Sequence, residues 1–114
     1  RMRTSAADLL ARLPGRCTAV WPDGERFVEA FRHGSMSVEL YAPRGSDPQQ
    51  PHAQDELYFV IAGTGDFVLD GVGQPFAAGA ALFVPAGVPH RFENFSDDFA
   101  TWVVFWGPPG GEAP

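Results

Sequence analysis

The residues with chemistry to offer lie close together. In Gln50–Gly63, QPHAQDELYFVIAG, four consecutive even positions are Gln50, His52, Gln54 and Glu56. On an extended strand alternate side chains share a face, so this spacing points all four the same way. An imidazole and a carboxylate side by side are unusual where residues only have to pack, and ordinary where the face lines a metal site. A second stretch, Gly79–Asn94 (GAALFVPAGVPHRFEN), carries another histidine, His90. The two stretches are expected to meet in space.

The rest of the chain must position them. Its 114 residues suit one domain, and 45% hydrophobic content is enough for a core. Ten phenylalanines and three tryptophans make that core, or a pocket in it, aromatic. The 14 acidic and 8 basic residues give a net charge of −6, and no Lys/Arg cluster is present. That balance argues against nucleic acid or an anionic membrane as partner. No apolar run approaches the ~18 residues that read as a membrane span. The N-terminal RMRTSAADLL lacks the apolar core of a signal peptide, so a cytoplasmic location is expected. The single cysteine, Cys17, excludes an internal disulfide and a cysteine-based metal site.

Thr4–Leu13 reads as a short helix, with Thr4 or Ser5 as cap, Asp8 in the first turns, a Leu9/Leu10/Leu13 stripe, and Pro14-Gly15 as the stop. From Thr18 onward the pattern is strands and turns. Expected strands are Thr18–Trp21, Arg26–Arg32, Ser35–Ala42, Leu57–Ala62, Asp66–Leu69, Gln74–Phe76, Ala80–Val84, His90–Phe95 and Phe99–Trp106. Asp70-Gly71 is a hairpin signal. Leu57–Ala62 is apolar on both faces and is expected to be covered on both. The expected layout is a helix and linker over residues 1–16, a β-barrel over 17–107, and a frayed Pro/Gly-rich tail over 108–114. Many short strands at close spacing argue for an all-β antiparallel sandwich or barrel, whose interior can hold one small ligand.

These residues resemble the cupin superfamily. Gly79, Pro85, Gly87, His90 and Asn94 match its second motif, G-x5-P-x-G-x2-H-x3-N, at every defined position. His52, Glu56 and Gly63 fit the H-x3-E-x6-G part of its first motif. Gln50 stands where that motif has its first histidine, and Gly45 is one residue out of register. The resemblance covers Gln50–Asn94. It implies a small single-domain cupin: a double-stranded β-helix, or jelly-roll barrel, behind a short N-terminal helix. It further implies a mononuclear divalent metal held by His52, Glu56 and His90. Gln50 could add an amide oxygen, with Gln54 as its rival on the same face. Two imidazoles and one carboxylate suit Fe, Mn, Ni, Co or Zn and leave positions open.

Around that set, Tyr58 continues the ligand face and is the candidate acid. Phe92 shares parity with His90, and Trp102 and Phe105 join from the last strand. Met36, Val38 and Leu40 form a third wall, giving a largely apolar pocket for a small molecule. Singly, each aromatic is as well explained by packing, and His33, Arg32, Arg44 and Arg91 by solvent. Two functions fit: a metal-dependent enzyme of dioxygenase, isomerase or lyase type, or a binding and sensing module without turnover. A homodimer is expected, covering the helix and the apolar runs Leu57–Ile61 and Trp102–Trp106.

Overall fold

The computed structural model describes residues 3–114, so residues 1 and 2 of the N-terminal segment lie outside it. Helix α1 spans Ala6–Leu10, shorter than Thr4–Leu13. Ser5 caps it, its Oγ accepting from the Asp8 amide at 3.1 Å. Past Leu10 the amides of Arg12 and Leu13 bond three residues back, which tightens the chain out of the α-helix before Pro14. Of the leucine stripe, Leu9 is buried and Leu10 is exposed.

Eight strands follow among the described residues: β1 (Phe27–His33), β2 (Met36–Tyr41), β3 (Asp55–Ala62), β4 (Thr64–Leu69), β5 (Val72–Ala77), β6 (Ala81–Val84), β7 (His90–Glu93) and β8 (Ala100–Trp106). They form two antiparallel sheets, ordered β1-β2-β8-β3-β6 and β5-β4-β7. The fold is all-β with one short N-terminal helix, as the alternation and turn spacing predict. Thr18–Trp21 is not a strand. The Trp21 amide donates to Thr18 Oγ1 at 3.0 Å and the Thr18 amide to the Trp21 carbonyl at 2.9 Å, which closes a turn instead.

Register decides which face of each strand looks inward. Glu39, Val103, Tyr58 and Leu82 lie on one rung across the large sheet, and Ser37, Phe105, Glu56 and Val84 on the next. Both rungs face the small sheet, whose inward residues include Phe67, Phe76 and Phe92 in the core. The opposite face of the large sheet carries Met36, Val38, Leu40, Leu57, Phe59, Phe83, Trp102 and Val104. Strand β3 is therefore interior to its sheet but covered on one face only; Phe59 is 45% exposed on the other. Leu40 is covered, since α1 packs on β2 with Leu9 buried.

Asp70 and Gly71 both take positive φ (49° and 82°), the conformation of a two-residue hairpin joining β4 to β5. Gly63 ends β3 at φ 93°, and a Cβ there would lie 2.6 Å from the Phe99 Cα. The C-terminal segment is tied down as far as Glu112 rather than frayed. The amides of Gly107, Gly110 and Glu112 donate to Ser35 Oγ, the Ala53 carbonyl and Asp55 Oδ2, at 3.0, 2.8 and 2.8 Å.

Candidate metal centre

The two motif stretches are joined by hydrogen bonds from backbone amides. The Gly87 amide donates to the His52 carbonyl at 2.8 Å, and the Ala86 amide to Asp55 Oδ1 at 2.9 Å. The turn that launches β7 is thus clamped to the loop that launches β3. Strand β3 begins at Asp55, so Gln50–Gln54 are loop residues and do not share a strand face with Glu56. His52 reaches the site from that loop, Glu56 from the first inward position of β3, and His90 from the start of β7.

One ligand atom from each of His52, Glu56 and His90 can be chosen so that all three lie within 4.8 Å of one another. Glu56 is completely buried. His90 Nε2 approaches its Oε1 at 2.8 Å, yet off a hydrogen-bonding direction, and neither oxygen has a hydrogen-bond partner among the described residues. His90 Nδ1 lies 2.9 Å from the Val88 carbonyl. A carbonyl can only accept, so Nδ1 carries the proton and the neutral ring turns its Nε2 lone pair toward Glu56. A lone pair facing a buried carboxylate is repulsive unless a proton or a metal ion sits between them. The orphaned carboxylate and the backbone-oriented imidazole therefore fit a divalent cation.

The imidazoles respond in opposite directions. Burial lowers the His52 pKa, helped by His90 and opposed by Glu56, which favours the neutral form a metal needs. For His90, burial pulls downward, but the Glu56 carboxylate and the Val88 carbonyl outweigh it and raise the value. Tyr58 is buried beside them, its hydroxyl 3.1 Å from His90 Nε2 and 3.0 Å from Gln49 Oε1. Burial first, then Glu56 and Asp47, hold its pKa well above the ordinary phenol value, so it keeps its proton.

A cavity of about 440 Å³ opens from His52 and is lined by Phe105, Val103, Glu39, Ser37, Tyr41 and Trp21, among others. A second cleft of about 310 Å³ is lined by His90, and the Gln49–Pro51 segment borders both. Phe105 stands in the cavity wall, its ring centroid 4.8 Å from that of His52. Phe92 is buried behind Tyr58, at 4.9 Å between centroids. Met36, Val38, Leu40 and Trp102 are not in the wall. The register turns them to the outer face, and Ser37, Glu39 and Tyr41 face the cavity instead. Hydrophobic patterning assigns the apolar side inward, but this interior holds a polar site, so the rule inverts on β2.

Gln50 is exposed. Gln54 spends its amide nitrogen on the Ser35 and Gly107 carbonyls, at 2.8 and 2.9 Å. The glutamine touching the centre is Gln49, with Oε1 3.4 Å from His52 Nε2. It lies in a loop with no periodicity to reveal it. Glu39, which the sequence reading did not single out, alternates with the apolar residues of β2, and that polar alternation is the signal for it. Its pKa is raised to about 7 by burial, then by Glu29 and Glu56, against Arg32. Arg32 itself is exposed and bonds Glu29 at 2.6 Å, and Arg91 is exposed beside Glu93. Asn94 takes φ 52° and donates to Asp66 Oδ2 at 3.1 Å, a structural role at the end of β7.

A protein-family model described as "Cupin domain" matches residues 37–106. An uncharacterized protein of Streptomyces coelicolor is 41% identical over 84 residues, 72% of this chain and 80% of that protein. Dimethylsulfoniopropionate lyase DddQ of Ruegeria pomeroyi is 30% identical over 70 residues, 60% of this chain but only 35% of the lyase. Among solved structures, a cupin 2 conserved barrel domain protein from Salinispora arenicola aligns with a TM-score of 0.65 at 23% identity, over 94% of this chain and 88% of that one. The matched span contains both motif stretches and the strands that hold them, and the chain belongs to the cupin domain family.

Proposed function

We propose that the protein is a metal-dependent enzyme that moves a proton on a small organic molecule, in an isomerase or lyase reaction. The observation that carries this reading is the buried, unpartnered Glu56 carboxylate grouped with two imidazoles, one of which, His52, lines a cavity. Bound there by His52, Glu56 and His90, a divalent Fe, Mn, Zn or Ni ion would supply Lewis-acid polarisation of a substrate oxygen. The chain's own residues supply the rest. Tyr58 keeps its proton and can donate it at the centre. Glu39 faces the cavity with a pKa near neutrality, where a carboxyl can both take up and release a proton. Trp21, Tyr41 and Phe105 offer apolar surface to a substrate and exclude water from it.

A protonated phenol buried against the His90 imidazole and a carboxyl lining the cavity beside His52 favour proton transfer over dioxygen chemistry. The lyase named among the relatives supports the same direction, although the chain spans about a third of that protein's length. The test is solvent exchange. Metal-loaded protein is incubated in D2O with small carboxylic acids, hydroxy acids and dimethylsulfoniopropionate, and NMR follows deuterium entry at the acidic carbon or appearance of the alkene. Exchange or elimination that needs both metal and Glu39 supports the reading. Metal-stimulated oxygen uptake without exchange would replace it with an oxygenase. One observation favours a second reading, binding without turnover: the residue at the first-histidine position, Gln50, is exposed and supplies no third imidazole. Saturable ligand binding with neither exchange nor oxygen uptake would select it.

We also propose a homodimer built on the outer face of the large sheet, where Phe59 and Phe83 are 45% and 49% exposed beside Leu57, Trp102 and Val104.

A further inference from the structure

Three glutamines lie near the centre, and the hydrogen bonds separate them. Both amide hydrogens of Gln54 are used in tying the β1–β2 turn to the end of β8. Gln50 is exposed. Gln49 is held differently. Its Nε2 donates to Asp47 Oδ2 at 2.7 Å, and its own backbone amide lies 3.3 Å from Asp47 Oδ1. Asp47 is buried, and it also accepts from the Phe92 amide at 2.9 Å and from the Tyr41 hydroxyl. Such a carboxylate, already facing the Gln49 and Phe92 backbone amides and the Tyr41 hydroxyl, can meet only the NH2 end of the side-chain amide. The carbonyl end of Gln49 is therefore forced the other way, toward the Tyr58 hydroxyl at 3.0 Å and His52 Nε2 at 3.4 Å.

We propose that Gln49, through Oε1, is the fourth protein ligand of the metal held by His52, Glu56 and His90. This rests on the metal reading of the site. The separation from His52 Nε2 is too long for a good hydrogen bond. It is the separation expected of two ligands on one ion, since donors ~2.1 Å from a tetrahedral centre lie roughly 3.4 Å apart. An amide oxygen is a hard neutral donor, compatible with the metals that imidazole and carboxylate select. Asp47 acts as the orienting partner behind the ligand, the role hydrogen-bond acceptors commonly play around metal sites. An amide in place of a third imidazole leaves the site one strong donor short, and the ion correspondingly more acidic toward substrate.

The test uses Co(II) on the metal-stripped full chain, read by affinity and by the visible absorption band. The variants are Gln49→Ala, Gln49→Met, Gln50→Ala, Tyr58→Phe and His52→Ala. Gln49→Met keeps the side-chain volume if the alanine variant folds poorly. Both Gln49 variants are expected to weaken binding roughly tenfold or more and to change the band. Gln50→Ala should leave both readouts at the wild-type value. Tyr58→Phe removes the hydrogen bond to Gln49 but not Oε1, and should keep the band. Wild-type affinity and spectrum in Gln49→Met would overturn the proposal. So would weakened binding with an unchanged band, which would make Gln49 a positioning residue. If wild type binds Co(II) and His52→Ala does not, the metal reading stands whatever Gln49 does. If wild type binds none, that reading falls and this proposal with it.

Discussion

Replacing Glu56 by glutamine should stabilise the metal-free protein while destroying its metal site. Glu56 is fully buried, and neither carboxylate oxygen has a hydrogen-bond partner among the described residues. Leaving a buried polar group unsatisfied costs about 1–3 kcal/mol, and more when it is charged. The amide side chain would be nearly isosteric with the carboxylate, and its NH2 could donate to the His90 Nε2 lone pair. A gain of roughly 2 kcal/mol follows, which for a domain of this size is a rise in Tm of about 8 °C. The pH must be chosen with care. The raised pKa of His90 means that its contact with Glu56 stabilises the wild type fully below the unfolded value of about 6.5. That contribution is lost as pH rises through the folded value. The advantage of Glu56→Gln should therefore be largest near pH 8.5, and shrink or reverse near pH 5.5. The assay is thermal unfolding in chelator at both values, repeated at pH 8.5 with added Zn(II). With metal the order should invert, because an ion at a hundredfold its Kd adds about 2.7 kcal/mol to the protein that binds it. A variant less stable than wild type in chelator at pH 8.5 would make Glu56 a structural partner of His90 rather than a metal ligand, against this expectation.

Other outcomes can be checked as simply. Glu39 ionises near pH 7 in the folded chain, above its unfolded value, so folding binds the extra proton. Its contribution is fully present below about pH 4.5 and declines by roughly 3 kcal/mol as pH rises to 7. Glu39→Gln should accordingly gain stability over wild type at pH 8 and match it at pH 4.5; equal curves at both would remove Glu39 from the proton-transfer scheme. Phe59→Glu places a charge in the exposed apolar face, and should convert a dimer to a monomer in sedimentation velocity. A wild type that is already monomeric at micromolar concentration contradicts the dimer. Gly63→Ala forces a Cβ to within 2.6 Å of Phe99 backbone at φ 93°, whereas Gly79, at φ 91°, has nothing within 4 Å. Gly63→Ala should lower Tm far more than Gly79→Ala, and similar losses would mean that backbone strain, not contact, dominates.

The strands were legible because alternation and turn residues are local signals: Asp70-Gly71 marks its hairpin without help from the rest of the fold. The histidine–glutamate–histidine set was legible through the family resemblance, because His52, Glu56 and His90 fall on its matched motif positions. Of the apolar cavity wall only Phe105 was. Met36, Val38 and Leu40 carry a clean apolar alternation, and the usual rule sends such a face inward. Here the interior needs Ser37, Glu39 and Tyr41 to serve a polar centre, and the apolar face is left for α1 and the exterior. Gln49 was hidden for a different reason. Its orientation comes from Asp47, which is itself fixed by Tyr41 on β2 and Phe92 on β7. That arrangement joins residues 45 positions apart, and no local pattern in the loop encodes it.

The central claim is that His52, Glu56 and His90 hold one divalent metal ion. Its most direct test is calorimetric titration of chelator-treated, tag-free protein with Co(II) or Zn(II), alongside His52→Ala and His90→Ala. The wild type should bind one ion per chain, with affinity falling as pH drops and His90 takes up its proton, and both variants should lose binding. A wild type that takes up no ion, or variants that bind as tightly as it does, would contradict it.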